Sequence, residues 1–374
     1  MADGSIRKRA NGSWELRFRY KGKQYSVTAA TQKECRRLRD EKVTQLAAAE
    51  PSAMADITLK DYSAERLSRI SLDIRPSSLL SYSNKYSQIN AVLGDKRICD
   101  ITRRDVFALR EALAKKFAPS TVNYCISLLN TTLNDAIADG IISRNPAFRV
   151  KYVKSDDRPK AVETTHRALT KEEQQVLFNY LRSQNAWLYE LFAFQVSTGM
   201  RIGECCALQW QDIYDGLIHV HATVSKVGNG EYAVSQSTKT AAGKREIPVN
   251  DGVAAILKMQ RKKLVEYFGV QTIAPYCHVF VSQRDCTRLL RPTDANRALQ
   301  WMIGKMNRQG IPFEPLSTHG LRDTFATRCI EQGMEPLTLS KLMGHTKIAM
   351  TMDLYAHVMR DTKVDAMMSV NIRV

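Results

Sequence analysis

Residues 317–328 read S-T-H-G-L-R-D-T-F-A-T-R, and residues 342–357 read L-M-G-H-T-K-I-A-M-T-M-D-L-Y-A-H. His319 and Arg322 stand three apart, so a helix carries them on one face. The run from Leu337 to Met343 is apolar at helical spacing and stops at Gly344, which sets His345 just past a helix end. Tyr355 lies in or after the next helical run. Four polar side chains held among Leu, Met, Ala and Phe imply a built site in a mainly helical domain.

A phenol is a poor nucleophile while protonated, because its pKa is about 10. It becomes useful where neighbours take its proton and stabilise the charge on the group it attacks. Arginine does the second job for phosphate, since its planar fork matches two oxygens at once. A second arginine and a proton donor are available upstream. Residues 198–204, T-G-M-R-I-G-E, supply Arg201, and residues 238–248, T-K-T-A-A-G-K-R-E-I-P, supply Lys239.

Arg201, Lys239, His319, Arg322, His345 and Tyr355, in that order, resemble the six-residue active site of the tyrosine recombinases, the integrases of temperate phages and integrative conjugative elements. Glu204 matches the acidic residue that such enzymes carry three after the first arginine. The resemblance is strong from residue 166 onward and looser before it. It implies a site-specific DNA recombinase that integrates and excises a mobile element or phage through a 3′-phosphotyrosine. Arg201 and Arg322 would then hold the non-bridging oxygens, Lys239 would protonate the leaving oxygen, and His319 and His345 would bond the phosphate. His319 could also accept the tyrosine proton, and Glu204 would orient Arg201 or His319. The family also implies a homo-tetramer on double-stranded DNA and an accessory DNA-bending or excision factor. Two alternatives share the scaffold: a type IB topoisomerase-like enzyme and a non-catalytic DNA-binding protein. A pure binder has no use for the intact set of six, and a lone topoisomerase needs neither arm-site contact nor a tail for a partner.

Charge points the same way. Lys and Arg number 55 against 38 Asp and Glu, a net +17 spread along all 374 residues, which suits a long polyanion whose counterions are released on binding. Eight scattered cysteines without a C-x-x-C pair fit a reducing compartment, and no run approaches the ~20 apolar residues of a membrane span, so a cytoplasmic protein is expected, without membrane contact. No cofactor or metal is expected. His219 and His221 share a strand face but lack a further ligand, Gly228–Ala233 fits a dinucleotide fingerprint but precedes a strand, and no phosphate-loop motif occurs.

The fold expected is multidomain and mainly α. Residues 1–50 form a small sheet backed by a helix: Trp14, Leu16, Phe18 and Tyr20 alternate with Glu15, Arg17, Arg19 and Lys21. Such a basic face can lie in a major groove, so Arg17, Arg19 and Lys21 are candidate contacts to arm-type DNA sites. Residues 57–153 read as four helices, resembling a core-binding domain for the crossover site. Residues 166–374 are the mixed α+β catalytic domain with its C-terminal tail, and the polar linker before it would let two domains close round a duplex. Within it, Ile218 to Val224 reads as one strand. Residues 232–238 and 244–249 read as a hairpin with Gly243 in its turn and Lys239 near its tip.

Overall fold

Short capping signals decide where the helices begin and end. The computed structural model describes the chain except residues 1–4, 11, 21, 49–55, 155–166, 229, 237–243 and 359–374 and the side chains of 44–48 and 357. It divides into two units, Met1–Pro159 and Lys160–Val374.

The first unit starts with an antiparallel sheet, β1 (Ser5–Lys8), β2 (Trp14–Tyr20) and β3 (Lys23–Ala29), followed by α1 (Gln32–Ala48). Leu16, Phe18 and Cys35 form its small core, with Trp14, Tyr20 and Tyr25 packed against them. Side chains alternate across a strand, so Arg17 and Arg19 emerge exposed on the opposite face. Glu15 shares that face yet is only 2% exposed. Arg7 and Arg9 each donate to it at 2.7 Å, and Arg17 lies 3.5 Å away. Hydrogen bonds from Arg9 and then Arg7 hold its carboxyl at about 2. One carboxylate thus gathers three arginines on a sheet face. Lys21 lies outside the described residues.

Four helices follow: α2 (Leu59–Ile70), α3 (Pro76–Leu93), α4 (Arg103–Ala114) and α5 (Pro119–Ala138). Thr58 and Thr102 cap α2 and α4 through their hydroxyls, while Pro76 and Pro119 open α3 and α5. Leu59, Ile89, Leu109 and Leu129 lie in a core distinct from that of the sheet. Arg66 ties three of the helices together, donating to Asp135 at 2.6 Å and to Tyr86 at 3.1 Å.

The second unit opens with α6 (Lys171–Ser183), started by a Thr170–Glu173 capping box, then α7 (Tyr189–Thr198) and α8 (Ile202–Ala207). Five short strands come next: β4 (Ile213–Tyr214), β5 (Leu217–Val220), β6 (Thr223–Lys226), β7 (Tyr232–Ser235) and β8 (Arg245–Pro248). Then come α9 (Asp251–Phe268), α10 (Pro292–Arg308), α11 (Thr318–Glu331), α12 (Pro336–Met343) and α13 (Ile348–Val358). A large core runs from Leu177 through Phe192, Phe194, Ile218 and Phe280 to Leu321. A separate small one, Ala326, Cys329, Ile330, Leu339 and Met343, lies among the last three helices.

The strand pairing differs from the sequence expectation. The stretch from Ile218 to Val224 is two strands, not one, and β7 does not pair with β8. Instead β5 pairs with β8, Ile218 opposite Ile247, and β6 pairs with β7, Val224 opposite Val234. Alternation hides the break because Ile218, Val220, Ala222 and Val224 are all buried at the same parity. The tight turn belongs to β6–β7, where Gly230 takes φ +80°. Lys239 therefore sits in the connection between β7 and β8, outside the described residues.

Gly199 ends α7 in the left-handed region at φ +65°, and a Cβ there would fall 2.3 Å from Cδ1 of Phe325 on α11. Gly199→Ala is expected to lower the unfolding free energy of the protein by roughly 2 kcal/mol or more, combining backbone strain with overpacking. Chemical denaturation measures this; an unchanged midpoint would contradict the role given to the turn.

Candidate active site

The turn at Gly199 delivers Arg201 as the residue before α8. Its Nη1 donates to Oε1 of Glu204 at 3.0 Å, and its Nη2 donates to the Gly344 carbonyl at 2.9 Å. Arg322 projects from α11 and is 2% exposed. It donates through Nη1 to the Gly199 carbonyl at 2.6 Å and through Nη2 to the Met343 carbonyl. A buried guanidinium held by neutral carbonyls carries a desolvation cost, which the nearby Glu204 and Asp323 carboxylates offset only in part. Burial, followed by the charges of Arg201 and Arg245, draws Arg322 down to about 9.

These bonds converge on the end of α12. The last four carbonyls of a helix lack partners inside it. Here Ser340 and Lys341 accept from the backbone N–H groups of His345 and Gly344, with Gly344 left-handed at φ +63°. Leu342 accepts from Nε of Arg245 at 2.6 Å, and Met343 accepts from Arg322. Cations also suit the negative end of a helix dipole. The terminus so held presents His345, whose Nδ1 is 2.8 Å from Oγ1 of Thr351 on α13. Burial first, then Arg322, Arg201, Arg245 and His319, pulls the imidazole down to about 4. It is neutral at neutral pH and suited to donate a hydrogen bond rather than a charge.

His319, on α11, is half exposed and 3.6 Å from Asp323. Arg201, His319, Arg322 and His345 line one cleft of ≈ 1090 Å³, with Arg167, Arg328 and Asp353 at its rim. Glu204 lies behind it, 4% exposed. Burial works against its ionisation, but hydrogen bonding and charge from Arg245, then Arg201, win and keep its carboxyl below the usual range. Glu204 contacts Arg201 and Arg245, while His319, the expected alternative partner, lines the cleft beside Asp323.

Tyr355 is not brought in. Leu354, Tyr355 and Val358 of α13 all pack against the small core, but only Leu354 and Val358 also line the cleft; Tyr355 is about 100° further round the helix than Leu354. Its hydroxyl donates to the Met334 carbonyl. Burial, with Cys329 and Glu335 nearby, pushes the phenol up from its ordinary value, which disfavours the phenolate. Of the six residues singled out in the sequence, four meet in the cleft, Tyr355 is held beside it, and Lys239 lies outside the described residues.

Arg245 was missed by the sequence reading. Its side chain is 5% exposed and donates to both Glu204 oxygens, at 3.1 and 2.8 Å. The available signal was parity: Arg245 shares its strand face with Ile247, where an apolar residue is the rule. Two guanidinium groups, those of Arg201 and Arg245, therefore hold one carboxylate, while Arg322 is held by backbone carbonyls, an arrangement that suits an anion between Arg201 and Arg322. Among the described residues no group of His, Cys, Asp or Glu is arranged to hold a metal, and no helix is long and apolar enough to cross a membrane.

Residues 167–361 match the model of the phage integrase family. The chain is 26% identical over 335 residues to a tyrosine recombinase XerC-like protein of Caldanaerobacter subterraneus subsp. tengcongensis, covering 84% of this chain and 83% of that one. Among solved structures it resembles the Tn1549 transposon integrase in complex with transposon right-end DNA, with TM-score 0.69 and 22% identity over 84% of this chain and 99% of that one. It also resembles a lambda integrase tetramer bound to a Holliday junction, with TM-score 0.60 and 21% identity over 91% of this chain and 95% of that one.

The unfolded chain takes up the His345 proton near 6.5, whereas the fold refuses it until about 4. Between those values the unfolded state binds more protons, so stability falls as pH falls. The melting temperature of the wild type is expected to drop through that window more steeply than that of His345→Asn, narrowing the gap between them. Parallel curves would contradict a neutral, buried His345.

Proposed function

The chain belongs to the phage integrase family of tyrosine-type site-specific recombinases, and from that premise we propose how its own residues exchange DNA strands. The observation that carries the proposal is the convergence of Arg201, His319, Arg322 and His345 on one cleft, with both guanidinium groups tied to backbone carbonyls. A phosphodiester of double-stranded DNA supplies the anion they suit. Arg201 and Arg322 grip its non-bridging oxygens, and their charge stabilises the pentacovalent phosphorus as it forms. Neutral His345 donates a hydrogen bond to the same phosphate.

Tyr355 is the nucleophile. Its hydroxyl leaves the Met334 carbonyl as α13 turns or shifts, and His319 takes its proton. The tyrosine oxygen bonds to phosphorus while the bond from phosphorus to the 5′ oxygen breaks. Lys239 gives that leaving oxygen a proton. The product is a 3′-phosphotyrosine and a free 5′-hydroxyl. A 5′-hydroxyl from the partner strand then attacks the phosphotyrosine and restores the phenol. The number of phosphoester bonds is unchanged, so no nucleotide hydrolysis is required.

Exchange between two duplexes needs four cleavages, which four protomers supply. The first unit gives the chain two further DNA contacts: the helical bundle for the core site, and the basic sheet face with Arg17, Arg19 and Lys21 for an arm-type site. Binding two separated sites on one DNA asks for a bend between them, which an accessory DNA-bending or excision protein would stabilise.

Tyr355→Phe is expected to bind DNA like the wild type and to form no covalent adduct on a nicked duplex resolved on a denaturing gel. An adduct in that variant would assign the nucleophile elsewhere. Replacing Arg17, Arg19 and Lys21 together by Ala is expected to lessen recombination on full-length sites while sparing cleavage of an isolated core site. Unimpaired recombination on full-length sites would remove arm binding from this face.

A further inference from the structure

Arg245 is not among the residues that line the cleft, yet it touches the two elements that present phosphate ligands. Its Nη1 and Nη2 hold both oxygens of Glu204 on α8, directly behind Arg201, and its Nε holds the Leu342 carbonyl on α12, just before His345. It is also the first residue of β8, the strand that resumes after the connection containing Lys239.

We propose that Arg245 is a positioning residue for strand transfer: it binds Glu204 and the α12 terminus together, so that Arg201 and His345 face the phosphate in fixed register and Arg201 keeps its charge for the DNA. The inference rests on the recombinase reading above.

Two features distinguish this from ordinary stabilisation. First, the Glu204 carboxylate is shared. Oε1 lies 3.0 Å from Nη1 of Arg201 and 3.1 Å from Arg245, while Oε2 lies 2.8 Å from Arg245 and accepts from the Arg201 backbone N–H at 2.9 Å. Alone with Arg201, Glu204 would form a one-to-one pair and cancel its charge. With Arg245 making two of the three guanidinium hydrogen bonds to Glu204, the Arg201 side chain remains 39% exposed and lines the cleft. Second, the grip needs a flat fork. One edge of the guanidinium meets a carboxylate and Nε meets a carbonyl, which a single ammonium cannot reproduce. A lysine there conserves charge and loses the geometry.

The test uses the full chain and a nicked duplex bearing the junction that wild-type protein itself captures covalently from fragmented host DNA. Wild type, Arg245→Lys, Arg245→Gln, Glu204→Gln and the double variant Arg245→Gln/Glu204→Gln are compared by melting temperature, half-saturating DNA concentration and single-turnover rate of adduct formation at saturation. Expected is a loss at saturation of about tenfold for Arg245→Lys and about a hundredfold for Arg245→Gln, the scale of misplaced reacting groups, with half-saturation changed by less than about threefold. The double variant is expected to be no slower than the slower single variant, because both break one unit. Saturating rates equal to wild type would overturn the proposal. So would rate, binding and melting temperature falling in proportion in both Arg245 variants, or losses that multiply in the double variant. A wild type that forms no adduct would overturn the recombinase reading itself, and this inference with it.

Discussion

Three arginines converge on the end of α12, two of them sharing the Glu204 carboxylate as well, and the catalytic unit is arranged around that convergence. Leu342, Met343 and Gly344 present consecutive carbonyls, and Arg245, Arg322 and Arg201 each take one. A hydrogen bond from a charged group contributes about 1.5–3 kcal/mol, so several together can offset the few kcal/mol of burying a guanidinium. They do not cancel its charge. Glu204 pairs with Arg245 and Arg201, and Arg201 and Arg322 line a cleft open to solvent. Neutral partners thus hold two guanidinium groups at a site suited to an anion, and the last turn of a helix serves as the template.

The proposed nucleophile stands outside that template. Tyr355 belongs to a core separate from the main one, built from α11, α12, α13 and Met334 in the turn between the first two. A helix attached through a small core opens at lower cost than one in the main core. The phenol is kept at the Met334 carbonyl, where burial raises its pKa; on the proposed mechanism this separates phosphate capture from attack. Thr351 bonds His345 from the same helix, so movement of α13 is felt at the proposed phosphate ligand.

Helix limits were legible because single residues enforce them: Thr102 and Thr170 through capping boxes, Pro76, Pro119, Pro292 and Pro336 through a fixed φ, Gly344 through a left-handed one. Strand partners were not. Alternation records which face is buried and says nothing of which strand lies alongside, so β5 and β6 read as one piece. The four cleft residues were found because their types and spacing carry chemistry. Arg245 escaped because its partners are far away in sequence: Glu204 is 41 residues distant and Leu342 is 97. The direction of Tyr355 was equally hidden, since spacing along a helix fixes a side chain's angle only relative to its neighbours. Glu15 read as one polar residue on a basic face, and only the register Arg7 opposite Glu15 reveals it as the centre of three arginines.

The central claim is that a phenol oxygen replaces a sugar oxygen on a phosphorus gripped by Arg201 and Arg322. Mass spectrometry of the proteolysed adduct from a nicked duplex, formed in the presence of a chelator, tests it most directly. The account predicts a nucleotide carried through a 3′-phosphate on Tyr355. A nucleotide on any other residue, or strand cleavage that leaves nothing bound to the protein, would contradict it.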